Sequence, residues 1–285
     1  MTTDRGSDKM ELISTKNGTK VVDFGTINLG LTLDCGQAFR WEKADNDLFC
    51  GVAYGKELLI KEEKDGLLFV NTPKEDIEKI WADYFDLTTD HDKIMKRLCG
   101  DKFIFEAYSR FGGIRILNQE PWETLCSFII SSCNNIPRIK SIIKRLSEAY
   151  GEKTGNSYSF PSAKVIATKN EEELAFLRAG YRVPYILDAA RKVADGEISL
   201  ENIRKMSEND ARKELMKIKG VGKKVADCTL LFSLGFTDCY PVDRHIDRAT
   251  KEFYPDGLPS FFTPNSGLAQ QYIFSYMLFK NKNEE

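Results

Sequence analysis

An α+β fold is predicted by three features of this 285-residue chain. Short runs rich in β-formers, separated by turn residues, fill positions 20 to about 71. After FGGIR at 111–115 the apolar residues recur with helical spacing to the end. No internal repeat or low-complexity segment interrupts that pattern. The result is an antiparallel sheet followed by a helical bundle.

The elements follow in order. MTTDRGSDKM is polar, and residues 1–9 are expected to be a loose tail. LGLTLD, QAFRWE, DLFCGVAY, KELLIKEE and GLLFVN read as strands, with turn signals at 35–36, 44–47, 54–57 and 64–66. Pro73 opens a helical pattern that puts Ile77, Ile80, Trp81 and Phe85 on one face. A second helix is expected over 91–110. Pro121 sits in the first turn of a helix carrying Leu125, Phe128 and Ile129. Further helices are expected at 137–149, 171–178, 185–194, 208–218, 223–234, 244–252 and 267–280. The boundary between the two parts falls near 112–120. That gives an N-terminal domain at 10–117 and a helical core at 118–285.

Composition narrows the function classes. Hydrophobic residues make up 42% of the chain, enough for a sizeable core, and the net charge is −2. A balanced total still permits a nucleic-acid partner, because what matters is clustering on one face. No run of 18 apolar residues exists, so no membrane span is expected, and the N-terminus lacks a secretory core. The seven cysteines are scattered and form no CxxC pair. They suit reduced thiols and argue against zinc ribbons and iron–sulfur clusters. No metal and no cofactor is expected.

Three stretches carry chemistry. In KGVGKKVADC (219–228), Gly220 can end one helix in the left-handed conformation, and Gly222 permits close approach to the next helix mouth. Exposed N–H groups there form an anion site, so helix, glycine hairpin and helix make a phosphate-gripping unit at about 208–234. The same spacing fits a plain turn between packed helices. Lys223 has Asp227 four residues on, a surface pairing. Lys224 stands where the helix dipole opposes an ammonium, which favours the free, nucleophilic amine; a solvated lysine is the alternative. In YPVDRHIDR (240–248), Asp243 is placed to cap a helix or to face Lys224 across a cleft. Arg244 and His245 stand near enough in sequence to contact phosphates, or are ordinary surface groups. In SSCNNIPRIKSIIKR (131–145), Asn134 and Asn135 can read base edges. Arg138, Lys140, Lys144 and Arg145 add positive charge, although a solvated helix face fits too.

Taken together and in this order, these stretches resemble the helix-hairpin-helix DNA glycosylases, and among them the 8-oxoguanine DNA glycosylases. Three more segments match: CGQAFRW at 35–41 resembles the lesion-reading turn, GYRVPY at 180–185 the DNA wedge, and LAQQYIFS at 268–275 the helix that closes the base pocket. The similarity spans about 20–280. It implies a TATA-binding-protein-like antiparallel domain followed by the helical glycosylase core.

The resemblance also assigns roles. Lys224 would attack C1′ of the damaged nucleotide, and Asp243 would stabilise the developing sugar cation. The Gly36 carbonyl would accept from the N7–H that distinguishes 8-oxoguanine from guanine. Cys228 and Phe274 would sandwich the flipped base, with Gln270 on its Watson–Crick edge. Tyr181 would wedge beside the opposite base, which Arg138 and Arg182 would hydrogen-bond. Asn134 and the position of Cys133 belong to the same reader, and Gly220, Gly222 and His245 to the phosphate grip. The partner implied is duplex DNA containing oxidised guanine, bound by a monomer in the nucleoid or, in a eukaryote, the nucleus.

Two positions depart from the family pattern. Cys133 stands where an asparagine is usual. Met277 stands where an aspartate would pair with the histidine, which loosens the role of His245. Other readings are an alkyl-base glycosylase of the same fold, which lacks the lysine, and a non-enzymatic hairpin module, which needs neither Asp243 nor the Gly36 turn.

Overall fold

The computed structural model describes residues 10–44 and 47–284. The tail expected at 1–9 lies outside the described residues. Six antiparallel strands form one sheet: β1 (Glu11–Thr15), β2 (Gly18–Val22), β3 (Trp41–Lys43), β4 (Leu48–Ala53), β5 (Lys56–Glu63) and β6 (Gly66–Val70). Their order is β1-β2-β6-β5-β4-β3. Period-two alternation buries Leu58 and Ile60 of β5 beside Leu67 and Phe69 of β6. A helix running from Lys74 to Tyr84, with a π turn at Ile77–Trp81, covers that face. Its Ile77 and Trp81, and Phe85 just beyond it, are buried there as the spacing predicted.

LGLTLD is a helix, Leu29–Asp34, and not the strand its alternating leucines suggested. Asn28 caps it by accepting from the Leu31 N–H, and the buried Leu29, Thr32 and Leu33 keep i, i+3, i+4 spacing. Of QAFRWE, only Trp41 and Glu42 lie in a strand. β1, and the first residues of β2, precede the stretch in which strands were expected. The helix expected over 91–110 is two, His91–Leu98 and Lys102–Phe111, because Asp101 caps a new start by accepting from Ile104 N–H. The helix expected at 171–178 is a single 3₁₀ turn, Ala175–Leu177, ended by Arg178 in the left-handed region at φ 53°.

There are two apolar cores. One lies between the sheet and the Lys74–Tyr84 helix. The other fills the helical body and takes Met95, Leu98, Ile104 and Ala107 from the two helices that precede the 112–120 link. Along that link, the fully buried Arg115 donates to the carbonyls of Phe24, Thr26 and Asp86. Those bonds fix the loop before Leu29–Asp34 against the helical body.

Candidate active site

Lys224 is the second residue of the helix Lys223–Ser233. Before it, Gly220 turns at φ 80°, and a Cβ there would overlap the Tyr185 ring at 2.2 Å. Only glycine satisfies both demands. Gly222 follows as the N-cap and offers no side-chain cap to the first-turn N–H groups. Gly222 and Lys223 are exposed. The hairpin therefore presents N–H donors and a cation outward, as an anion site requires. Asp227 does not take the surface pairing with Lys223. It is buried and accepts from Arg212 Nε of the preceding helix, Glu208–Leu215, while Arg212 also donates to Glu208. This ion pair clamps the two hairpin helices together.

The Lys224 side chain points inward. Its Nζ lies 4.9 Å from the centroid of Phe128, a cation–π contact. Phe128 stacks on Phe232 at 5.5 Å and meets Phe39 edge-on at 5.6 Å. Phe39 belongs to the CGQAFRW turn, so one aromatic bridge ties that turn to the lysine. Cys228, one helical turn beyond Lys224, is buried. Burial pushes its thiol up to about 11, and neighbouring Lys224, which hydrogen-bonds it, opposes the shift. The thiol is neutral at neutral pH and presents an apolar wall. Asp243 acts on the same thiol electrostatically.

Asp243 is the N-cap of the helix Arg244–Phe253. Its Oδ1 accepts from the N–H of His245 and of Ile246, each at 2.9 Å. The cap expected of this residue is therefore made, and it also fixes the direction of the carboxylate. His245 lies edge-on to Phe274 at 6.2 Å and accepts from Arg244 Nε at 3.2 Å. Met277 is wholly buried and part of the core.

Opposite stands Gly36, at φ 80°. A Cβ on Gly36 would sit 3.5 Å from the Phe274 ring, so any side chain there would enter the space beside that ring. The turn is held by Gln37, a buried residue the sequence reading did not single out. Its Nε2 donates to the carbonyls of Thr32 and Arg115, and its Oε1 accepts from Leu117 N–H. Phe274 and Gln270 lie on the C-terminal helix Ser266–Glu284, which meets the Lys224 helix with Gly267 against Leu231. Gln270 is buried and donates through Nε2 to the Pro241 carbonyl at 3.1 Å. Gly36, Lys224, Cys228, Asp243, His245, Gln270 and Phe274, drawn from four separate segments, are thereby joined through shared contacts.

The residues expected to face the opposite base form a second group. Cys133 is exposed and left-handed, φ 49°, between the helices Pro121–Ser131 and Ile136–Tyr150. Asn134 Nδ2 donates to Ile130 O, and Asn135 caps the second helix. Tyr181 is 53% exposed, which suits a wedge, and its hydroxyl donates to Ser132 O. Arg182 is buried, and its guanidinium donates to the carbonyls of Ala179, Ser132 and Cys133. It also stacks on Tyr181 at 4.4 Å. Arg138 is exposed and donates to Arg178 O. The basic run does not form one face. Lys140 donates to Trp41 O of the sheet and Arg145 to Leu177 O.

Two family models match consecutive parts of the chain. The model of the 8-oxoguanine DNA glycosylase N-terminal domain matches residues 21–125, and that of the HhH-GPD superfamily base excision DNA repair protein matches 126–257. The N-glycosylase/DNA lyase of Saccharomyces cerevisiae is 34% identical over 275 residues, spanning 85% of this chain and 72% of that protein. The chain belongs to the 8-oxoguanine DNA glycosylase family. Solved members superimpose closely. The structure of MBOgg1 with a low-affinity DNA ligand is 38% identical with a TM-score of 0.90, over 96% of this chain and 99% of that one. The Clostridium acetobutylicum 8-oxoguanine glycosylase/lyase, bound to duplex DNA with cytosine opposite 8-oxoguanine, is 34% identical with a TM-score of 0.89, over the same shares. The 3-methyladenine DNA glycosylase of Archaeoglobus fulgidus, 18% identical, shares the fold at a TM-score of 0.72.

Within this glycosylase-family frame, sequence reasoning missed Gln37, Phe128 and the Arg212–Asp227 pair. Phe128 was read only as an apolar helix residue; Gln37 stood in CGQAFRW, but nothing in the sequence separated a polar residue that ties backbone together from one that faces solvent. Arg212 pairs with Asp227 from fifteen positions away, across the hairpin, beyond any local spacing rule. Among the described residues no helix is long and apolar enough to cross a membrane.

Proposed function

We propose that this chain is a bifunctional DNA repair enzyme that excises 8-oxoguanine from duplex DNA and then cleaves the strand. The damaged base is flipped out, at a cost of a few kcal/mol, and phosphate contacts to the hairpin help offset that cost. Lys224 Nζ attacks C1′ while the bond to N9 breaks, and the base leaves with a proton. The sugar opens to an imine. This acidifies the C2′ proton, whose loss expels the 3′ phosphate by β-elimination. Asp243 stabilises positive charge on the sugar and assists the proton transfers. Gly36, Cys228, Phe274 and Gln270 hold the base, and every step uses only protein groups and water.

The observation that supports this reading most is the convergence on Cys228: Lys224 hydrogen-bonds it and Asp243 lies near enough to act on it. A nucleophile and a carboxylate therefore share one buried wall. The opposite-base reader is proposed to rest on Tyr181, Arg138 and Asn134, with Arg182 holding the Cys133 loop by its carbonyls. The enzyme acts as a monomer wherever genomic DNA is kept. The test is a single-turnover reaction on duplex carrying 8-oxoguanine opposite cytosine. Free 8-oxoguanine and a strand ending in an unsaturated aldehyde are expected. Base release without a nick would leave the glycosylase and remove the lyase.

A further inference from the structure

Gln271 follows the base-reading glutamine, and the family pattern quoted above gave it no role. It is buried, and its Nε2 donates to Gln270 Oε1 at 2.7 Å. Gln270 Nε2 in turn donates to Pro241 O. A carbonyl only accepts, so the end of Gln270 beside Pro241 must be its NH₂. The other end is then an oxygen, and Gln271 must meet it with its own NH₂. Turning Gln271 over would set two amide oxygens against each other. The orientation holds even though Gln271 Oε1 is a buried acceptor that has no hydrogen-bond partner among the described residues.

We propose that Gln271 is a positioning residue that reinforces the Gln270 orientation set by the Pro241 carbonyl, and so helps the pocket read a guanine-type edge and reject an adenine-type one. This rests on the reading that the flipped base meets Gln270. With one N–H and one lone pair already engaged, Gln270 keeps one donor and one acceptor. A guanine-type edge offers O6 as acceptor beside N1–H as donor. An adenine-type edge offers the same two functions in reverse order: N6–H₂ as donor beside N1 as acceptor. A glutamine free to turn over reads both. One held in a single orientation reads one.

The test measures kcat/KM on duplexes carrying 8-oxoguanine or 8-oxoadenine at the same position, for native enzyme, Gln271→Met, Gln271→Glu and Gln270→Ala. The ratio of the two substrates is taken within one preparation, so a partly unfolded variant does not distort it. Methionine keeps the volume and removes the donor, and the 8-oxoguanine preference is expected to fall about tenfold. Glutamate places an acceptor against Gln270 Oε1, and the fall is expected to be larger. If both Gln271 variants keep the native ratio within twofold while Gln270→Ala lowers it, the positioning role is wrong and base reading by Gln270 stands. If Gln270→Ala also leaves the ratio unchanged, base reading by Gln270 falls and the positioning role with it.

Discussion

Lys224 and Cys133 each stand at a helix boundary, and the two boundaries are built differently. Around Lys224 the geometry comes from packing: Phe128 against Phe232 and Phe39, Cys228 buried beneath, and Gly220 fitted to Tyr185. Many close contacts must move together before the amine does. Around Cys133 the geometry comes from a few polar bonds and one unfavourable backbone conformation. Arg182 gathers the carbonyls of Ser132 and Cys133, and a cysteine occupies φ 49°, a region that suits asparagine or glycine. The half of the site proposed to carry the chemistry is therefore held by packing. The half proposed to inspect the partner strand is held by donors that would otherwise be available to a base.

The effects of substitutions at the two boundaries should differ in size and kind. The largest effect is expected at the packed boundary. Lys224→Gln should still bind damaged duplex, yet lose single-turnover excision by roughly 10⁴-fold or more, the scale seen when a nucleophile is removed. Asp243→Asn keeps a capping side chain, so melting should hardly change, while excision falls by on the order of 10²–10³-fold. A rate within a few-fold of native would make Asp243 a cap and nothing else.

Binding comes next. If the hairpin and Arg138 grip phosphates, log Kd should rise with log salt at a slope of about 3 to 5. A flat dependence between low and physiological salt would remove the DNA face proposed for the hairpin.

At the polar boundary the effects are smaller and separable. Cys133→Asn should stabilise the fold by about 0.5–1 kcal/mol in denaturant melts, by relieving the left-handed cysteine. It should also widen the excision preference for cytosine over adenine opposite the lesion, because an amide pairs where a thiol pairs weakly. Cys133→Gly should give the stability without the selectivity. If native enzyme already selects strongly for cytosine and Cys133→Asn changes nothing, the loop does not read through this position.

A last effect concerns the link between the two cores. Burial pushes Glu123 up to about 7, with Arg40 3.5 Å away pulling it back. Its folded value lies above its unfolded value, so the folded state binds more protons between pH 4.5 and 7. The stability this group contributes is present below about 4.5 and lost as pH rises through 7. Native protein should lose stability by about 1–3 kcal/mol from pH 5 to 8 through this group, and Glu123→Gln should flatten that slope. Parallel slopes for the two proteins would contradict it.

Much of this was legible in the sequence, for identifiable reasons. KGVGKKVADC and YPVDRH each combine a backbone demand with a chemical group, so their types and spacing carry the geometry. Pro121 and Asp243 mark helix starts because their physics is local. LGLTLD failed because six residues with alternating leucines satisfy both periods, and the deciding feature was Asn28 capping one residue before. The basic run 138–145 was legible only in part: Arg138 and Lys144 are exposed, and Lys140 and Arg145 are not. Positive charge predicts a solvated or DNA-facing side chain, yet backbone carbonyls took Lys140 and Arg145, and no local pattern shows where a carbonyl will lie. Arg182 belongs to the same class: the wedge segment was recognised from its residues, but the destination of its guanidinium depended on the loop at Ser132.

The amine of Lys224, at the mouth of the hairpin helix, is proposed to form the covalent bond to the sugar. Borohydride reduction during reaction with 8-oxoguanine duplex tests it directly. Native protein and Lys223→Gln should both give a stable protein–DNA cross-link, and Lys224→Gln should give none while retaining duplex binding. A cross-link that survives in Lys224→Gln and disappears in Lys223→Gln would assign the nucleophile to the exposed neighbour and overturn the account.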